Sequence, residues 1–258
     1  MSTPDTRTSI VTGAAGGIGA ALVRRLADRG DNVVLVDLDT DALAKVAADA
    51  GLTSERSLII RADVSNETDV QAYVDQTLET FGRIDAFANN AGIESPMGPI
   101  EEQSLDTLDR LYNVNVKGVF LGLAKVLPVM KSQGHGAILN TSSLAGLMGA
   151  PGMSPYIMSK HAVIGLTRTA AAEAAPAGVR VNAVLPGTIN TGMMRRIEDS
   201  SGTADVYKQA NEAATPLGRY GEPDEVAAVM AFLLSDDASF VTASLYTVWA
   251  GALVQASG

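Results

Sequence analysis

Runs of residues rich in Val, Ile and Leu alternate with longer stretches of helical spacing along the chain. The first run, Thr8–Thr12, is followed by an Ala-rich helical stretch at Gly17–Arg29 and by a second apolar run at Asn32–Val36. Short apolar runs are typical of buried β-strands, whereas apolar positions three and four residues apart are typical of helices. The same pattern predicts further strands at Ser57–Arg61, Ile84–Ala88, Ala137–Asn140, Arg180–Leu185 and Ser244–Val248.

The repeated order of strand, helix and strand predicts an α/β fold. Strands that are apolar on both faces indicate a parallel sheet covered by helices on each side, because crossover connections place the helices there. The chain has 258 residues, of which 47% are hydrophobic, and this is enough to fill one core. We therefore predict a single domain over residues 1–258, built on a Rossmann-type doubly wound parallel sheet of about seven strands.

Residues 188–214 form the longest stretch without clear periodicity. Gly192, Gly202 and mixed charges interrupt the apolar spacing there. Long loops are either functional or ordinary surface insertions, and composition alone leaves both interpretations open. We interpret the stretch as a substrate-binding loop, or lid, within the domain.

Composition argues against several classes of function. A net charge of −10 repels phosphate backbones and anionic lipids, so we expect neither nucleic acid nor a membrane as a partner. The chain has no Cys, and its 2 His and scattered carboxylates offer no clustered ligand set, so we expect no disulfide and no metal. Neither an apolar leader nor an apolar run long enough to span a bilayer is evident. We expect a cytoplasmic protein.

A glycine-rich turn follows the first predicted strand. Residues 12–19 read TGAAGGIG and contain Gly13, Gly17 and Gly19. Glycine allows a sharp turn and a close approach of the backbone to a pyrophosphate, and the following helix N-terminus favours an anion. The G-x-x-x-x-G-K-[ST] motif of nucleoside triphosphate sites does not occur in the chain. The turn therefore predicts a dinucleotide site with Ile18 among its contacts, although a plain turn is the alternative.

Asp37 ends the second predicted strand, roughly twenty residues beyond the glycines, where dinucleotide sites place a carboxylate. Such a carboxylate accepts hydrogen bonds from the adenosine ribose and repels a 2′-phosphate. No Arg lies within the glycine turn or directly after Asp37. We therefore expect NAD rather than NADP as the cofactor, the alternative being that Asp37 is a solvated charge at a strand end.

Tyr156 and Lys160 are spaced i, i+4 at the start of an Ala-rich helical stretch, so their side chains share one face. Taken alone, such a pair could be a surface contact. In motif order and spacing, however, nearly the whole chain resembles the short-chain dehydrogenase/reductase family. The motifs that carry the resemblance are the TGxxxGIG turn, Asp63-Val64, Asn89-Asn90-Ala91-Gly92, Asn115, Ser143, the YxxxK pair and Pro186-Gly187.

The resemblance implies an oxidoreductase with a Ser-Tyr-Lys-Asn catalytic set. Tyr156 would be the acid or base, and Lys160 would favour its tyrosinate form and hold the nicotinamide ribose. Ser143, chosen over Ser142 on the family spacing, would bind the substrate oxygen. Asn115 would anchor a water that links Lys160 to solvent, or would be only a polar core residue at a helix distortion.

The resemblance also implies further contacts to the cofactor and the substrate. Asp63 and Val64 would hold the adenine, and Asn90 would brace the floor of the site, although a helix cap and a turn former are the alternatives. Ile189 and Thr191 would contact the nicotinamide carboxamide. Substrate contacts are expected from Ser143, Met153, Tyr156 and Met193, although core packing explains the two Met equally well.

These assignments predict hydride transfer between NAD(H) and a secondary alcohol or its ketone, with an apolar or cyclic substrate. The alternative enzyme is a 3-oxoacyl-carrier-protein reductase, for which Arg195-Arg196 could form a basic patch toward an acidic carrier. The alternative outside enzymes is an NAD-sensing regulator that keeps the fold. The family further implies a homotetramer.

The C-terminal region departs from the family pattern. The family often reads Thr-Gly and then Val-Asp-Gly-Gly, whereas this chain has Ala243, Trp249 and Ala250 in place of the first Gly, the Asp and the next Gly. Because this region lies near subunit contacts in the family, the departure puts assembly geometry and pocket shape in doubt. Trp249 could extend a pocket wall, fill an interface or be an engineered change.

Overall fold

A computed structural model of the chain describes residues 6–251. In that range one sheet contains seven strands in the order β3-β2-β1-β4-β5-β6-β7, and every neighbouring pair is parallel. The strands are β1 Thr8–Thr12, β2 Asn32–Asp37, β3 Ser57–Arg61, β4 Ala86–Asn89, β5 Gly136–Thr141, β6 Val179–Pro186 and β7 Leu245–Val248. The prediction of a single doubly wound domain is confirmed.

Nine helices occupy the described range and cover both faces of the sheet. They are α1 Gly17–Arg29, α2 Thr40–Asp49, α3 Glu67–Phe81, α4 Leu105–Leu111, α5 Gly118–Gln133, α6 Ser154–Ala174, α7 Gly192–Ser200, α8 Ala204–Ala214 and α9 Pro223–Leu233. Helices α1, α2 and α9 bury their apolar sides in one core, and α3, α5 and α6 bury theirs in the core on the opposite face. This two-sided cover explains why the strands are apolar throughout.

The expectation that residues 188–214 are irregular is wrong. Helices α7 and α8 occupy most of this stretch, and Gly202 separates them with a φ of +71°. Both helices are short and lie near the surface: α7 buries only Ile197 and Glu198, and α8 buries none of its residues. The glycines that predicted a loop lie at the ends of α7, because Gly192 is its first residue and Gly202 follows its C-cap, Ser201.

The expectation that no run could span a bilayer is wrong on length and composition. The continuous helical run Leu105–Gln133 has 29 residues, and its most apolar window has a mean hydropathy of 1.2. Core helices of globular proteins can be equally long and equally apolar. Here 44% of the window is buried inside the protein, and the part in α5 packs against α3 and α6.

Two alanines adjoin β7 in the left-handed backbone region. Ala243 has a φ of +57° and Ala250 a φ of +36°. An L-residue there brings its Cβ close to the following carbonyl, which costs about 1–2 kcal/mol. The Ala243 conformation persists because its N–H donates to the Val181 carbonyl at 2.8 Å, which keeps it against the sheet. These are the two positions where the family pattern has glycine, so the sequence departure carries backbone strain.

We expect Ala243→Gly to raise the free energy of unfolding by about 1 kcal/mol, because glycine adopts a positive φ without the Cβ clash. For a domain of this size the shift corresponds to roughly 2–4 °C in Tm. Calorimetry of the purified variant measures both quantities. Ala48→Gly on the exposed side of α2 is the control, and should lower stability by about 1 kcal/mol. Equal losses in both variants would contradict the strain argument.

Candidate active site

The candidate site lies beyond the carboxyl ends of the strands. The strand order reverses between β1 and β4, and doubly wound sheets place their ligands in the crevice at such a point. The glycine turn leaves β1, Asp37 ends β2, and Asn90 and Ser143 follow β4 and β5. The fold therefore brings the residues selected from the sequence to one edge of the sheet.

The glycine turn has the shape that a pyrophosphate requires. Gly13 has a φ of +67°, and a Cβ on Gly19 would lie 2.1 Å from the Gly13 carbonyl oxygen. Helix α1 begins at Gly17, and its N-cap Gly16 makes no side-chain cap, so no side chain occupies the first-turn N–H groups. The chain at this turn therefore fits the pyrophosphate of a dinucleotide. Ile18 is partly buried against the adjacent core.

Asp37 braces this turn and stays partly exposed. One carboxylate oxygen, Oδ2, accepts from the Ala15 N–H at 3.1 Å, and Oδ1 accepts from the Leu38 N–H at 2.7 Å. The sheet register sets Arg61, at the end of β3, directly beside Asp37. Their closeness is not evident in the sequence, because Asp37 and Arg61 become neighbours only through strand pairing.

Asn90 fastens the glycine turn from the β4 side. Its Nδ2 donates to the Thr12 carbonyl at 3.1 Å and to the Gly13 carbonyl at 3.4 Å, and its Oδ1 accepts from the Thr141 hydroxyl at 3.1 Å. Asn90 therefore lies under the turn, as expected of the floor of the site.

Asp63 and Val64 follow β3 at the same edge of the sheet. Asp63 Oδ1 accepts from the backbone and hydroxyl of Ser65, whereas the N-cap of α3 is Asn66, so the alternative that Asp63 caps this helix is wrong. Val64 packs against the start of α5, where a Cβ on Gly118 would lie 2.9 Å from Val64 Cγ2. Their predicted contact to adenine stays a prediction.

Ser143, Tyr156 and Lys160 meet where β5 faces α6. The Ser143 hydroxyl donates to the Pro186 carbonyl at 3.4 Å and lies near enough to the Tyr156 phenol to act on its pKa. Lys160 Nζ donates to the Thr141 carbonyl at 3.0 Å and lies 5.5 Å from the centre of the Tyr156 ring. The hydroxyl of Ser142 instead donates to the Lys160 carbonyl at 2.8 Å. The preference for Ser143 over Ser142 therefore agrees with the geometry.

Asn115 lies in a π-helical segment, Tyr112–Lys117, and is fully buried. Its Nδ2 donates to the Ile93 carbonyl at 2.9 Å and to the Ser159 hydroxyl at 3.1 Å, and its Oδ1 accepts from the Ile93 N–H at 2.8 Å. A Cβ on Gly92 would lie 3.3 Å from Asn115 Oδ1 and 3.4 Å from Lys160 Nζ, so both side chains border Gly92. The amide is committed to protein partners, and the predicted water contact stays a prediction.

Burial sets the protonation of the Tyr-Lys pair. It raises the pKa of Tyr156 to about 12, although the nearby Ser143 hydroxyl acts in the opposite direction. Burial also lowers the pKa of Lys160 to about 8. Both shifts favour the neutral forms. The predicted help that Lys160 gives to the tyrosinate would act against this burial, and it stays a prediction.

The segment after β6 runs along the opposite side of the glycine turn. A Cβ on Gly17 would lie 3.1 Å from the Thr191 methyl group, so Thr191 lies over the turn. The side chain of Ile189 is buried in the core, and its contact to the nicotinamide carboxamide stays a prediction. Met153 and Met193 are partly buried at the starts of α6 and α7. Their contact to a substrate stays a prediction.

An ion pair that the sequence did not reveal joins the lid to the site. Arg196 of α7 is bonded through Nε and Nη2 to the two carboxylate oxygens of Glu94, across 102 residues of chain. Glu94 lies two residues beyond Gly92, and its negative charge contributes to the raised pKa of Tyr156. Arg195 donates to Asn190 Oδ1 at 3.2 Å. The doublet Arg195-Arg196 is therefore engaged within the domain rather than arranged as a free basic patch.

Within the described range, no group of three or more His, Asp and Glu side chains is arranged to hold a metal ion.

A family model described as enoyl-(acyl carrier protein) reductase matches residues 13–252. Levodione reductase from Leifsonia aquatica is 42% identical, over 97% of this chain and 97% of its own. Cyclohexanol dehydrogenase from Acinetobacter sp. (strain SE19) is 39% identical, over 94% of this chain and 93% of its own.

Solved structures give the same relationship. The crystal structure of levodione reductase superposes with a TM-score of 0.91 at 41% identity, covering 96% of this chain and 98% of that one. NAD+-bound xylitol dehydrogenase also has a TM-score of 0.91, at 36% identity, covering 95% of this chain and 98% of that one. With the motifs, the sheet order and these relatives in agreement, the chain belongs to the short-chain dehydrogenase/reductase family of oxidoreductases.

Proposed function

We propose that the protein is an NAD(H)-dependent dehydrogenase that interconverts cyclic secondary alcohols and their ketones. The observation that carries the proposal is the meeting of Ser143, Tyr156 and Lys160 beside the glycine turn that Asp37 braces. Relatives named for levodione and cyclohexanol support a ring as the substrate, and an NAD+-bound neighbour supports the cofactor.

The dinucleotide would lie along the crevice between the first and fourth strands. Gly13, Gly17 and Gly19 would receive the pyrophosphate and Asp37 the adenosine ribose, with the nicotinamide toward Thr191 and Lys160. When bound, the dinucleotide supplies the hydride acceptor or donor and, in its oxidised form, a positive charge.

The protein's own groups would handle the proton and the substrate oxygen. Tyr156 would accept the hydroxyl proton of the alcohol as its carbon is oxidised, and would return it in the reverse reaction. The hydroxyl of Ser143 would donate to the substrate oxygen, where negative charge develops. Lys160, buried one helical turn from Tyr156, would hold the ribose and favour the tyrosinate once it is protonated.

We expect Tyr156→Phe to lower kcat/KM by about 10²–10⁴-fold, because the acid-base group is lost while the ring keeps its packing. Calorimetric titration should give an NAD+ Kd within about twofold of the parent protein, a change of at most about 0.4 kcal/mol. Tyr246→Phe in β7 is the matched control and should retain full activity. Unchanged turnover in Tyr156→Phe would remove the mechanism, whereas NAD+ binding without any turnover in the parent protein would favour the NAD-sensing regulator.

Asp37→Ala should shift the cofactor preference toward NADP, because the repelling carboxylate is lost and the Arg61 cation remains beside the site. We expect the ratio of kcat/KM for NAD+ to that for NADP+ to fall at least about tenfold, or 1.4 kcal/mol. Adding Arg61→Gln to Asp37→Ala should remove the gain in NADP+ use. An unchanged ratio in Asp37→Ala would show that this carboxylate does not select the cofactor.

Glu94→Gln and Arg196→Gln should move the pH profile of alcohol oxidation in opposite directions, although both variants lose the same ion pair. A negative charge at Glu94 raises the pKa of Tyr156, so its removal lets the tyrosinate form at lower pH. Removal of Arg196 leaves that negative charge uncompensated, and the tyrosinate then requires higher pH. The rising limb of kcat/KM against pH should shift by up to about 1 pH unit in each direction. A shift of both variants in the same direction would refute the electrostatic role.

The carrier-protein reductase alternative loses its main sequence support. Its basic patch would be Arg195-Arg196, but Arg196 pairs with Glu94 and Arg195 is bonded to Asn190. The net charge of −10 also opposes the approach of an acidic carrier. We therefore retain the cyclic alcohol as the substrate class.

We further propose a homotetramer located in the cytoplasm. Large apolar side chains remain exposed on the helical run of α4 and α5, among them Leu105, Tyr112 and Phe120, and exposed apolar surface of this kind favours subunit contacts. The absence of Cys from the sequence agrees with a reducing compartment.

A further inference from the structure

Trp249 follows β7 and packs against the backbone of Gly187. A Cβ on Gly187 would lie 2.1 Å from Trp249 Cδ1 and 2.5 Å from its Cγ. Gly187 does not have a positive φ, so its own conformation would accept a side chain. The indole is therefore the group that requires glycine at this position.

Gly187 opens the segment proposed to receive the nicotinamide, residues 187–191. Three backbone hydrogen bonds hold its edges. The Gly187 N–H donates to the Val248 carbonyl at 3.0 Å, whereas Gly221 donates to the Thr188 carbonyl at 3.0 Å and accepts from the Asn190 N–H at 2.8 Å. The side chain of Ile189 is buried in the core and anchors the middle of the segment. The indole adds a contact on the backbone where the segment begins, at Gly187.

The indole also adjoins the end of the lid. A small cavity of about 80 Å3 is lined by Trp249, Thr188, Thr215 and Leu217, among other residues. Thr215 and Leu217 directly follow α8, which is the second helix of the lid. Trp249 thus lies between the nicotinamide segment and the chain through which the lid rejoins the domain.

We propose that Trp249 is a positioning residue that holds residues 187–191 in the conformation that receives the nicotinamide half of the cofactor. The inference rests on the proposed NAD function. It resolves the alternatives for Trp249 in favour of a wall behind the cofactor segment. A planar aromatic ring suits this task, because it buries a large area with few rotatable bonds.

The first test separates the two halves of the cofactor. Calorimetry measures the Kd of NAD+ and of ADP-ribose, which lacks the nicotinamide, for the parent protein and for Trp249→Phe. We expect the variant to bind NAD+ about tenfold more weakly, or 1.4 kcal/mol, with unchanged affinity for ADP-ribose. KM for NAD+ should rise in parallel, while kcat at saturating NAD+ stays within about twofold, because the catalytic groups are untouched. Phe240→Leu, at a fully exposed aromatic, should change none of these values.

The second test uses the close contact with Gly187. Gly187→Ala should weaken NAD+ binding in the parent protein, because its Cβ would collide with the indole. The same substitution in a Trp249→Leu background should cause little further loss. Such non-additivity would identify the indole as the source of the constraint.

The parent protein offers an independent readout, because Trp249 is the only tryptophan in the chain. The fluorescence emission of Trp249 should change on titration with NAD+ but not with ADP-ribose. The Kd fitted to the NAD+ fluorescence titration should equal the Kd from calorimetry. Equal weakening of both ligands in Trp249→Phe, or equal emission changes with both, would overturn the positioning role. Failure of the parent protein to bind NAD+ at all would instead refute the proposed function.

Discussion

The hydrogen bonds of Thr12 and Asn90 hold together the parts of the site that come from different strands. The Thr12 hydroxyl accepts from the Asn90 and Ala91 N–H groups at 3.0 and 3.1 Å, which joins the end of β1 to the end of β4. Asn90 returns a bond to the Thr12 carbonyl and accepts one from Thr141, at the end of β5. The Thr141 carbonyl in turn receives Lys160. The glycine turn and the catalytic lysine are thus two ends of one bonded network across the crevice.

This network makes the buried ammonium tolerable. Lys160 is 4% exposed, and an unpaired charge at such a depth would shed its proton or unfold the site. The Thr141 carbonyl accepts a hydrogen bond from the ammonium, and burial lowers the pKa of Lys160 to about 8. Tyr156, buried beside it, is driven toward its protonated form. The pair is therefore poised so that a nearby charge can alter its protonation.

The periodic parts of the fold were predictable because each element repeats one simple pattern. Helix α1 has the predicted bounds, and all seven strands lie within two residues of theirs. Strand β4 begins later than predicted because Ile84, although buried, gives its backbone bonds to the side chain of Gln133 instead of a neighbouring strand. Apolarity reveals that Ile84 is inside the protein, but not which group bonds its backbone.

The catalytic residues were predictable only through the family motifs, and their neighbours were not. Strand pairing places Arg61 next to Asp37, and Arg196 pairs with Glu94 across more than a hundred residues of chain. Neither arrangement leaves a periodic pattern in the sequence, and a charged residue in a polar stretch is ordinarily solvated. The helices α7 and α8 were missed for another reason, because Gly192 and Gly202 were interpreted as loop residues although they lie at helix ends. These two helices also bury few side chains.

The small number of buried side chains in α7 and α8 affects how a substrate would enter the site. Segments with few buried apolar contacts open at a free energy well below that of global unfolding, whereas the strands beneath them open only with the whole domain. Amides of α7 and α8 would therefore exchange their hydrogens with solvent long before those of β1 or β4. Local opening of these two helices would give the proposed substrate a route in and out while the sheet, and the residues bonded to its edge, stay in place.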